Sequence, residues 1–230
     1  MTIRKTDTVW FSPVRVYKHI DRLTKKVGAE AIEKESKFKR VREIRLAAVA
    51  ALLIYKRTGN PAYVQLCKDD PPDAYIMQES KTIIGQLDIT TLEISTFLGN
   101  TSETFLDQLK RKAPATFHKY SDEYVIVYEL KTYNRVNFDE AREYLNKVKT
   151  PFPVWTLLGK NVNGDTIAEF TTINPDTYSS EVNIGETAFQ FDSIGIPDVL
   201  FIKRAGSVKS VRKEPSGLYN KPPWDEDIEK

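Results

Sequence analysis

The sequence predicts an α/β protein in which helices flank a mixed central sheet. Three observations support this prediction. Apolar and small residues recur with a helical period over residues 38–57, and the turn residues 58–61 end that pattern. Two β-like runs, 73–78 and 85–96, follow it. A strand, a helix and a strand then succeed one another over residues 124–158, an order that is typical of a right-handed parallel crossover.

Two further helices are predicted on either side of the first strands. Residues 13–35 alternate basic and apolar positions in a helix-like way, whereas residues 1–12 have an irregular pattern. Thr101 is a candidate N-cap for a short helix whose apolar face would carry Phe105 and Leu109. The predicted order of elements in the core is therefore helix, strand, strand, short helix, strand, helix, strand.

The pattern weakens towards the C terminus. Residues 167–173 and 199–203 have the composition of strands, and the polar stretch 174–196 between them is rich in turn residues. From Arg204 onwards the composition is basic, then Pro-rich, then acidic, which is typical of a flexible tail. We therefore predict an N-terminal helical segment (1–37), a core (38–160), a β-containing extension (161–205) and a flexible charged tail (206–230).

Composition excludes several classes of site. The formal net charge of the 230-residue chain is only +2, which gives no global polycation argument for nucleic acid. Cys67 is the only cysteine, so an intramolecular disulfide and a cysteine-rich zinc site are excluded. With two histidines, the chain has little material for His-based metal clusters or Ser-His triads. It lacks an apolar run of bilayer length and a signal-peptide core. We expect a reduced, cytoplasmic protein with no membrane partner.

Two acidic residues mark the first β-like runs. Asp73 follows Pro72 at the start of one run, and Glu93 lies between apolar residues in the next. If the two strands pair as a hairpin, these carboxylates come side by side. Mg²⁺ prefers such oxygen ligands, and in that setting it can promote phosphodiester hydrolysis. An exposed polar sheet face that carries Thr91, Glu93 and Ser95 is an equally complete, non-functional explanation.

The order of elements over residues 38–158, together with Pro72-Asp73 and Glu93, resembles the PD-(D/E)xK superfamily of restriction and repair nucleases. The resemblance implies a restriction-endonuclease-like αβββαβ core that cleaves DNA. It also implies that Asp73 and Glu93 bind Mg²⁺ or Mn²⁺. DNA is then the expected partner, with a homodimer or a larger assembly compatible with it. Restriction, phage defence and mobile-element biology are the settings that the resemblance suggests.

The chain departs from this family at the third motif position, where Ser95 replaces lysine. In one explanation, Lys131 at the end of the neighbouring strand, or Lys81 in the predicted turn, supplies the ammonium. In another, Ser95 holds a metal-bound water and the metal alone activates it. A strict Glu-x-Lys match also occurs at Glu129 and Lys131, and an alternative pairing with Asp73 would complete a site there.

Two non-enzymatic alternatives also stay open. In the first, the nuclease fold is catalytically inactive and acts as a nucleic-acid-binding or protein-interaction module, which the absence of the motif lysine favours. In the second, the chain is a structural protein whose acidic tail docks a partner.

Other polar residues are weaker candidates. Some relatives in the superfamily carry an extra acidic ligand on the helix before the motif, where Glu43 stands, although its arginine neighbours favour surface ion pairs. Gln108 resembles polar residues that support such sites. Basic clusters suit phosphate contacts, or equally a solvated helix surface. They comprise Lys25, Lys26, Lys37, Lys39, Arg40, Arg42 and Arg45, the run Lys110-Arg111-Lys112, and the pair Lys203-Arg204.

Overall fold

The computed structural model describes residues 8–67, 72–79, 87–117, 124–150, 153–163, 165–174, 176–205 and 208–213. In chain order, its elements are β1 (Thr8–Phe11), α1 (Pro13–Val27), α2 (Ala29–Lys34), a 3₁₀ turn (Ser36–Phe38), α3 (Lys39–Thr58), β2 (Ala62–Leu66), β3 (Ala74–Glu79), β4 (Leu87–Phe97), α4 (Phe105–Phe117), β5 (Tyr124–Leu130), α5 (Phe138–Lys147), β6 (Val154–Val162), β7 (Asp165–Asn174), β8 (Tyr178–Asn183), α6 (Ile184–Ser193), β9 (Val199–Ala205) and β10 (Val208–Lys213). The protein is therefore mixed α/β, as the sequence predicts.

The chain divides into two compact units. The first comprises Met1–Lys68, Ala74–Asp88 and Ala188–Lys230, and the second comprises Asp69–Asp73 and Ile89–Thr187. The division cuts across the predicted core, since residues 38–160 contribute to both units. Asp73 and Glu93 fall in the same unit, the second.

The first unit contains an antiparallel sheet with strand order β10-β9-β1-β2-β3. Helix α3 packs on β2 and β3 through a run of small residues, of which Ala47, Ala48 and Ala51 are fully buried. Small side chains let the helix approach the strands closely, as the sequence predicts. The helix ends at Gly59, whose positive φ of 72° suits a left-handed C-cap.

Several local features of the first unit differ from the sequence expectation. The predicted helix 13–35 is interrupted at Gly28, where φ is 89°, a backbone conformation that favours glycine. Strand β1 lies within the stretch expected to be irregular, and β2 was not predicted. Residues 208–213, expected to belong to a flexible tail, form β10 and pair with β9 in an antiparallel ladder. Residues 214–230 of that predicted tail lie outside the described residues.

The second unit contains a mixed sheet with strand order β4-β5-β6-β7-β8. Strands β4, β5 and β6 are parallel, and β6, β7 and β8 are antiparallel. Helix α4 connects β4 to β5, and α5 connects β5 to β6. The parallel strand–helix–strand crossover predicted for residues 124–158 is confirmed. Strand β8 and helix α6 occupy the stretch that was expected to be turns.

The apolar core of the second unit holds α4 against the sheet. Tyr124, Ile126 and Tyr128 alternate along β5 and are buried on one face. Phe105 and Leu109 of α4 pack against that face and are themselves fully buried. The ring of Phe105 meets that of Tyr128 edge-on, with centroids 5.0 Å apart. These contacts fix the direction in which the other residues of α4 point.

Helix α4 begins with a reciprocal cap formed by Thr104 and Asp107. The backbone N–H of Asp107 donates to Thr104 Oγ1 over 3.1 Å, and that of Thr104 donates to Asp107 Oδ2 over 3.0 Å. Hydrogen bonds from the Thr104 hydroxyl and backbone hold the pKa of Asp107 below its ordinary value. The cap therefore lies three residues beyond Thr101, the predicted N-cap.

The loops that follow β4 and β5 meet at Gly99. This glycine has a φ of +66°, and a Cβ at this position would overlap Thr132 Cγ2 and lie 3.1 Å from the Asn134 carbonyl oxygen. Both the backbone conformation and the available space therefore require glycine at this position.

We expect Gly99→Ala to destabilise the second unit by more than Gly59→Ala destabilises the first. Gly59 also has a positive φ, but nothing lies within 4 Å of its Cβ position. The Gly59 variant should therefore show the conformational cost alone, about 1 kcal/mol, while Gly99→Ala adds about 1–3 kcal/mol of steric strain. Urea unfolding followed by circular dichroism measures both values. Equal losses would show that Thr132 and Asn134 move aside without cost.

Candidate active site

Strand β4 carries Glu93 and Ser95 on its covered face. The parallel register pairs Glu93 with Ile126 and Ser95 with Tyr128, so the four residues share one face of the sheet. This is the face on which α4 packs. Ser95 is 7% exposed and the Glu93 side chain 16%. The exposed polar face considered from the sequence therefore does not describe Glu93.

Helix α4 brings a lysine to these two residues. Lys112 Nζ lies 3.3 Å from Glu93 Oε1 and also donates to Ser95 Oγ. The lysine follows Phe105 and Leu109 at helical spacings that place all three on the sheet-facing side of α4. Packing of the two apolar residues therefore directs Lys112 towards Glu93.

The second oxygen of Glu93 also has a protein donor. The hydroxyl of Tyr124, at the start of β5, donates to Glu93 Oε2. Tyr124 is 1% exposed, so this is an interaction of the protein interior. One carboxylate oxygen thus faces an ammonium and the other a phenol.

Asp73 lies beside Glu93 along β4. Its backbone N–H donates to the Leu92 carbonyl oxygen over 3.1 Å, and its Oδ2 accepts from the Ile94 N–H over 2.5 Å. These two contacts bracket Glu93 on the strand. Asp73 is itself buried, with 9% of its surface exposed. Asp73 therefore lies beside the strand that carries Glu93 and Ser95, the other two residues predicted from the sequence for this site.

The structure does not bring Lys131 to this group. Lys131 Nζ forms an ion pair with Glu129 Oε1 over 2.7 Å. Glu129 pairs with Thr96 in the register, and alternation places it on the sheet face opposite to Glu93 and Ser95. The sequence expectation that Lys131 stands in for the motif lysine at Glu93 is therefore not supported by the geometry. Lys81, the other lysine considered, lies outside the described residues.

The geometry also does not support the alternative site in which Glu129 and Lys131 pair with Asp73. The Lys131 N–H donates to the Phe97 carbonyl oxygen. Because the backbone groups of successive strand residues point to opposite edges, the carbonyl groups of the odd-numbered residues of β4 point towards β5. Asp73 bonds to Leu92 and Ile94, whose backbone groups point to the other edge. Asp73 and Glu129 therefore flank β4 on opposite sides, separated across the sheet by about two strand spacings, ~10 Å.

Gln108 secures α4 at the end of β4. Its side-chain amide donates to the Thr96 carbonyl oxygen over 3.1 Å. Gln108 lies one helical turn before Lys112 on α4. This contact ties α4 to β4, and the supporting role predicted for Gln108 stays a prediction.

The hydroxyl of Tyr128 has no hydrogen-bond partner within the described residues. Burial raises the pKa of the Tyr128 phenol above its ordinary value, and the negative charge of Glu93 raises it further. Tyr128 is fully buried, so its hydroxyl is withdrawn from bulk water. A charge beside this hydroxyl is screened less than it would be at the surface.

The donor set suits a hydrated divalent cation and does not form a protein cage. Among the described residues, no group of three or more His, Cys, Asp or Glu side chains is placed to hold a metal ion. Asp73 and Glu93 offer carboxylate oxygens, and Mg²⁺ characteristically uses one or two carboxylates together with water and substrate phosphate. The two carboxylates are of the chemical type that Mg²⁺ or Mn²⁺ uses, and both Glu93 oxygens and Asp73 Oδ2 already accept hydrogen bonds from the protein.

The basic region predicted on the N-terminal helices is largely engaged within the first unit. Six of its seven cations have carboxylate or carbonyl partners: Lys25 with Asp21, Lys37 with Glu35, Lys39 with Glu43, Arg45 with Glu33, Arg40 with the Cys67 carbonyl, and Arg42 with the Ile32 and Glu35 carbonyls. These pairs agree with an ion-paired helix surface. Glu43 is accounted for by its contact with Lys39.

Comparison of the chain with protein-family models, with curated proteins and with solved structures finds no match. Within the part of the chain that the structure describes, no helix combines the length and apolar character needed to cross a membrane.

We expect Tyr124→Phe and Tyr128→Phe to differ in stability. Tyr124→Phe removes a donor to the Glu93 carboxylate and should cost about 1.5–3 kcal/mol, because Glu93 stays buried with one partner fewer. Tyr128→Phe removes a buried hydroxyl without a described partner and should be neutral or stabilising. The two substitutions are chemically identical and lie on the same face of β5. Urea unfolding measures the difference, and equal losses would contradict the assigned Glu93 contact.

Stability should also fall in alkali because of Tyr128. The pKa of this phenol is higher in the folded than in the unfolded state. The contribution of Tyr128 to the unfolding free energy is therefore complete below the unfolded-state pKa of about 10 and is lost as pH rises further. We expect the unfolding free energy of Tyr128→Phe to decline less steeply than that of the wild type between about pH 10 and pH 11, by up to ~1.4 kcal/mol per pH unit. Denaturation curves across this range test the prediction, and parallel declines would contradict it.

Proposed function

We propose that the chain is a metal-dependent endonuclease that hydrolyses DNA phosphodiester bonds at Asp73, Glu93 and Ser95. The observation that carries the proposal is the pair of hydrogen bonds by which Asp73 brackets Glu93. They place Asp73 directly beside Glu93 at the edge of β4, and both side chains are largely withdrawn from solvent. Such a pair is costly unless a cation or hydrogen bonds stabilise it.

The order of elements supports the same proposal. Helix α3 is followed by β2, β3 and β4, then by α4 and β5, which is the αβββαβ order of the restriction-endonuclease-like core. Strand β2, which was not predicted from the sequence, supplies the first strand of this series. Asp73 then precedes the second strand and Glu93 lies in the third, with β5 parallel to β4 across α4.

Each of the three residues has a distinct role in the proposed reaction. Asp73 and Glu93 would hold the divalent cation, which when bound supplies Lewis acidity and offsets the negative charge of the phosphate. Ser95 would hydrogen-bond water beside Glu93. Water oxygen forms a bond to phosphorus while the bond from phosphorus to a sugar oxygen breaks. The water proton passes through solvent to that sugar oxygen, which leaves one phosphomonoester end and one hydroxyl end.

A catalytically inactive module that binds nucleic acid or protein is the second candidate. One observation favours it: both carboxylate oxygens of Glu93 already have donors, Lys112 and Tyr124. A carboxylate satisfied in this way does not need a metal for stability. The two candidates differ in whether DNA is cut.

We expect purified protein to cut plasmid or linear DNA with Mg²⁺ or Mn²⁺, and to lose the activity when EDTA is added. Asp73→Asn and Glu93→Gln should each lower the rate by about 100-fold or more, because each removes a carboxylate that offsets cation charge. Gel-based cleavage assays measure these rates. An RNA of the same sequence, run in parallel, tests the choice of substrate.

Glu129→Gln is the matched control for Glu93→Gln. Glu129 is also buried and paired with a lysine, but it lies on the opposite face of the sheet. We expect Glu129→Gln and Lys131→Met to cut DNA at nearly the wild-type rate. Loss of cleavage in these two variants alone would place the site at Glu129. A folded wild type that binds DNA and never cuts it would favour the inactive module.

A further inference from the structure

We propose that Lys112 of α4 is the catalytic cation of this site and takes the place of the lysine that is missing at position 95. The inference rests on the proposed nuclease function. It differs from the sequence expectation, which assigned this task to a lysine at the end of β5. In the structure, the ammonium reaches β4 from the helix that covers it.

The contacts of Lys112 define where its charge lies. Nζ is 3.3 Å from Glu93 Oε1 and donates to the hydroxyl of Ser95. The ammonium is thus located between the two motif positions of β4. The side chain of Lys112 keeps 32% of its surface exposed, so it is not sealed off from solvent.

The other cations of the run 110–112 point elsewhere. Arg111 forms an ion pair with Glu103 over 2.6 Å. Lys110 Nζ lies 5.8 Å from the ring centroid of Tyr144 on α5. Three consecutive basic residues on a helix cannot share a face, and the packing of Phe105 and Leu109 selects Lys112 for the site.

The size of Ser95 agrees with this assignment. Ser95 is buried beneath α4, and its short side chain leaves room for the lysine that descends from the helix. A lysine at position 95 together with Lys112 would bring two ammonium groups into one small space. A small Ser95 on β4 and Lys112 on α4 are therefore complementary, and the positive charge at this site comes from α4.

The chemical role follows from this position. The ammonium would hold the attacking water against the phosphate and balance negative charge as the oxygen–phosphorus bond forms and the bond to the leaving sugar oxygen breaks. Lys112 stays protonated throughout, and the proton balance of the hydrolysis is unchanged. Removal of one such charge-stabilising donor typically lowers a rate about 100- to 1000-fold.

The test compares Lys112→Met with Lys110→Met under single-turnover cleavage of DNA. Both substitutions remove an ammonium from α4 and keep a long apolar stem. We expect Lys112→Met to lower the cleavage rate about 100- to 1000-fold and Lys110→Met to leave it unchanged. Titration calorimetry with Mn²⁺ in the absence of DNA should show that Lys112→Met still binds the ion, and thermal unfolding should show that it still folds.

A swap variant adds a rescue. Lys112→Ser with Ser95→Lys returns the ammonium to β4 while exchanging the same two side chains. We expect this double variant to cut DNA at least about tenfold faster than Lys112→Ser alone. A double variant that binds Mn²⁺ but is as slow as Lys112→Ser would overturn the inference.

The remaining outcomes separate this inference from the proposed function. Lys112→Met cutting at the wild-type rate, while Asp73→Asn and Glu93→Gln do not cut, overturns the role of Lys112 alone. If Lys112→Met loses both Mn²⁺ binding and DNA cleavage, the role of Lys112 is also overturned, because the lysine would then only position Glu93. A wild type that cuts no nucleic acid overturns the proposed function, and this inference with it.

Discussion

The packing of α4 against β5 is the constraint on which the candidate site depends. Burial of Phe105 and Leu109 contributes about 1.5–3 kcal/mol for each side chain, whereas a partly exposed ion pair contributes about 1 kcal/mol or less. The apolar contacts therefore position the helix, and Lys112 reaches Glu93 as a result. The same packing covers the face of β4 that carries Ser95. The apolar contacts between α4 and β5 thus determine where the polar residues of the site meet.

The electrostatics of the site follow from that coverage. Withdrawing Glu93 from water costs free energy, and the contacts with Lys112 and Tyr124 offset this cost and do not add a large net stability. Asp73 obtains its compensation from the backbone, through the Ile94 N–H. Two neighbouring carboxylates are thus maintained by three different kinds of donor: an ammonium, a phenol and a peptide group.

Local periodicity allowed much of the fold to be predicted from the sequence. Helix α3 and strands β4, β5 and β6 have strong apolar patterns, and their type was predicted correctly. Strand β2 was not predicted, because a short run after a helix-ending turn carries little periodic signal. Strand β8 and helix α6 are polar at many positions and resemble turns. Their structure comes from pairing with β7 and from tertiary packing, neither of which a local pattern contains.

The choice of lysine shows the limit of the sequence for the site. Lys131 is close to a buried strand along the chain, but whether it shares a face with Glu93 depends on the register between β4 and β5. Lys112 was visible only as one member of a basic run. The spacing of positions 105, 109 and 112 on α4 would have distinguished Lys112 from Lys110 and Arg111, because Lys112 alone of the three shares a helix face with Phe105 and Leu109.

The hydrogen bonds that assemble the site also have a consequence for folding kinetics. They join Asp73 to Ile94, Lys112 to Ser95 and Tyr124 to Glu93, across sequence separations of 21, 17 and 31 residues. Closing loops of this length costs less entropy than pairing the ends of the chain, and the cost grows only slowly with loop length. All of these residues lie between positions 73 and 124, so every residue of the site is present in the growing chain before the C-terminal strands β9 and β10 are synthesised.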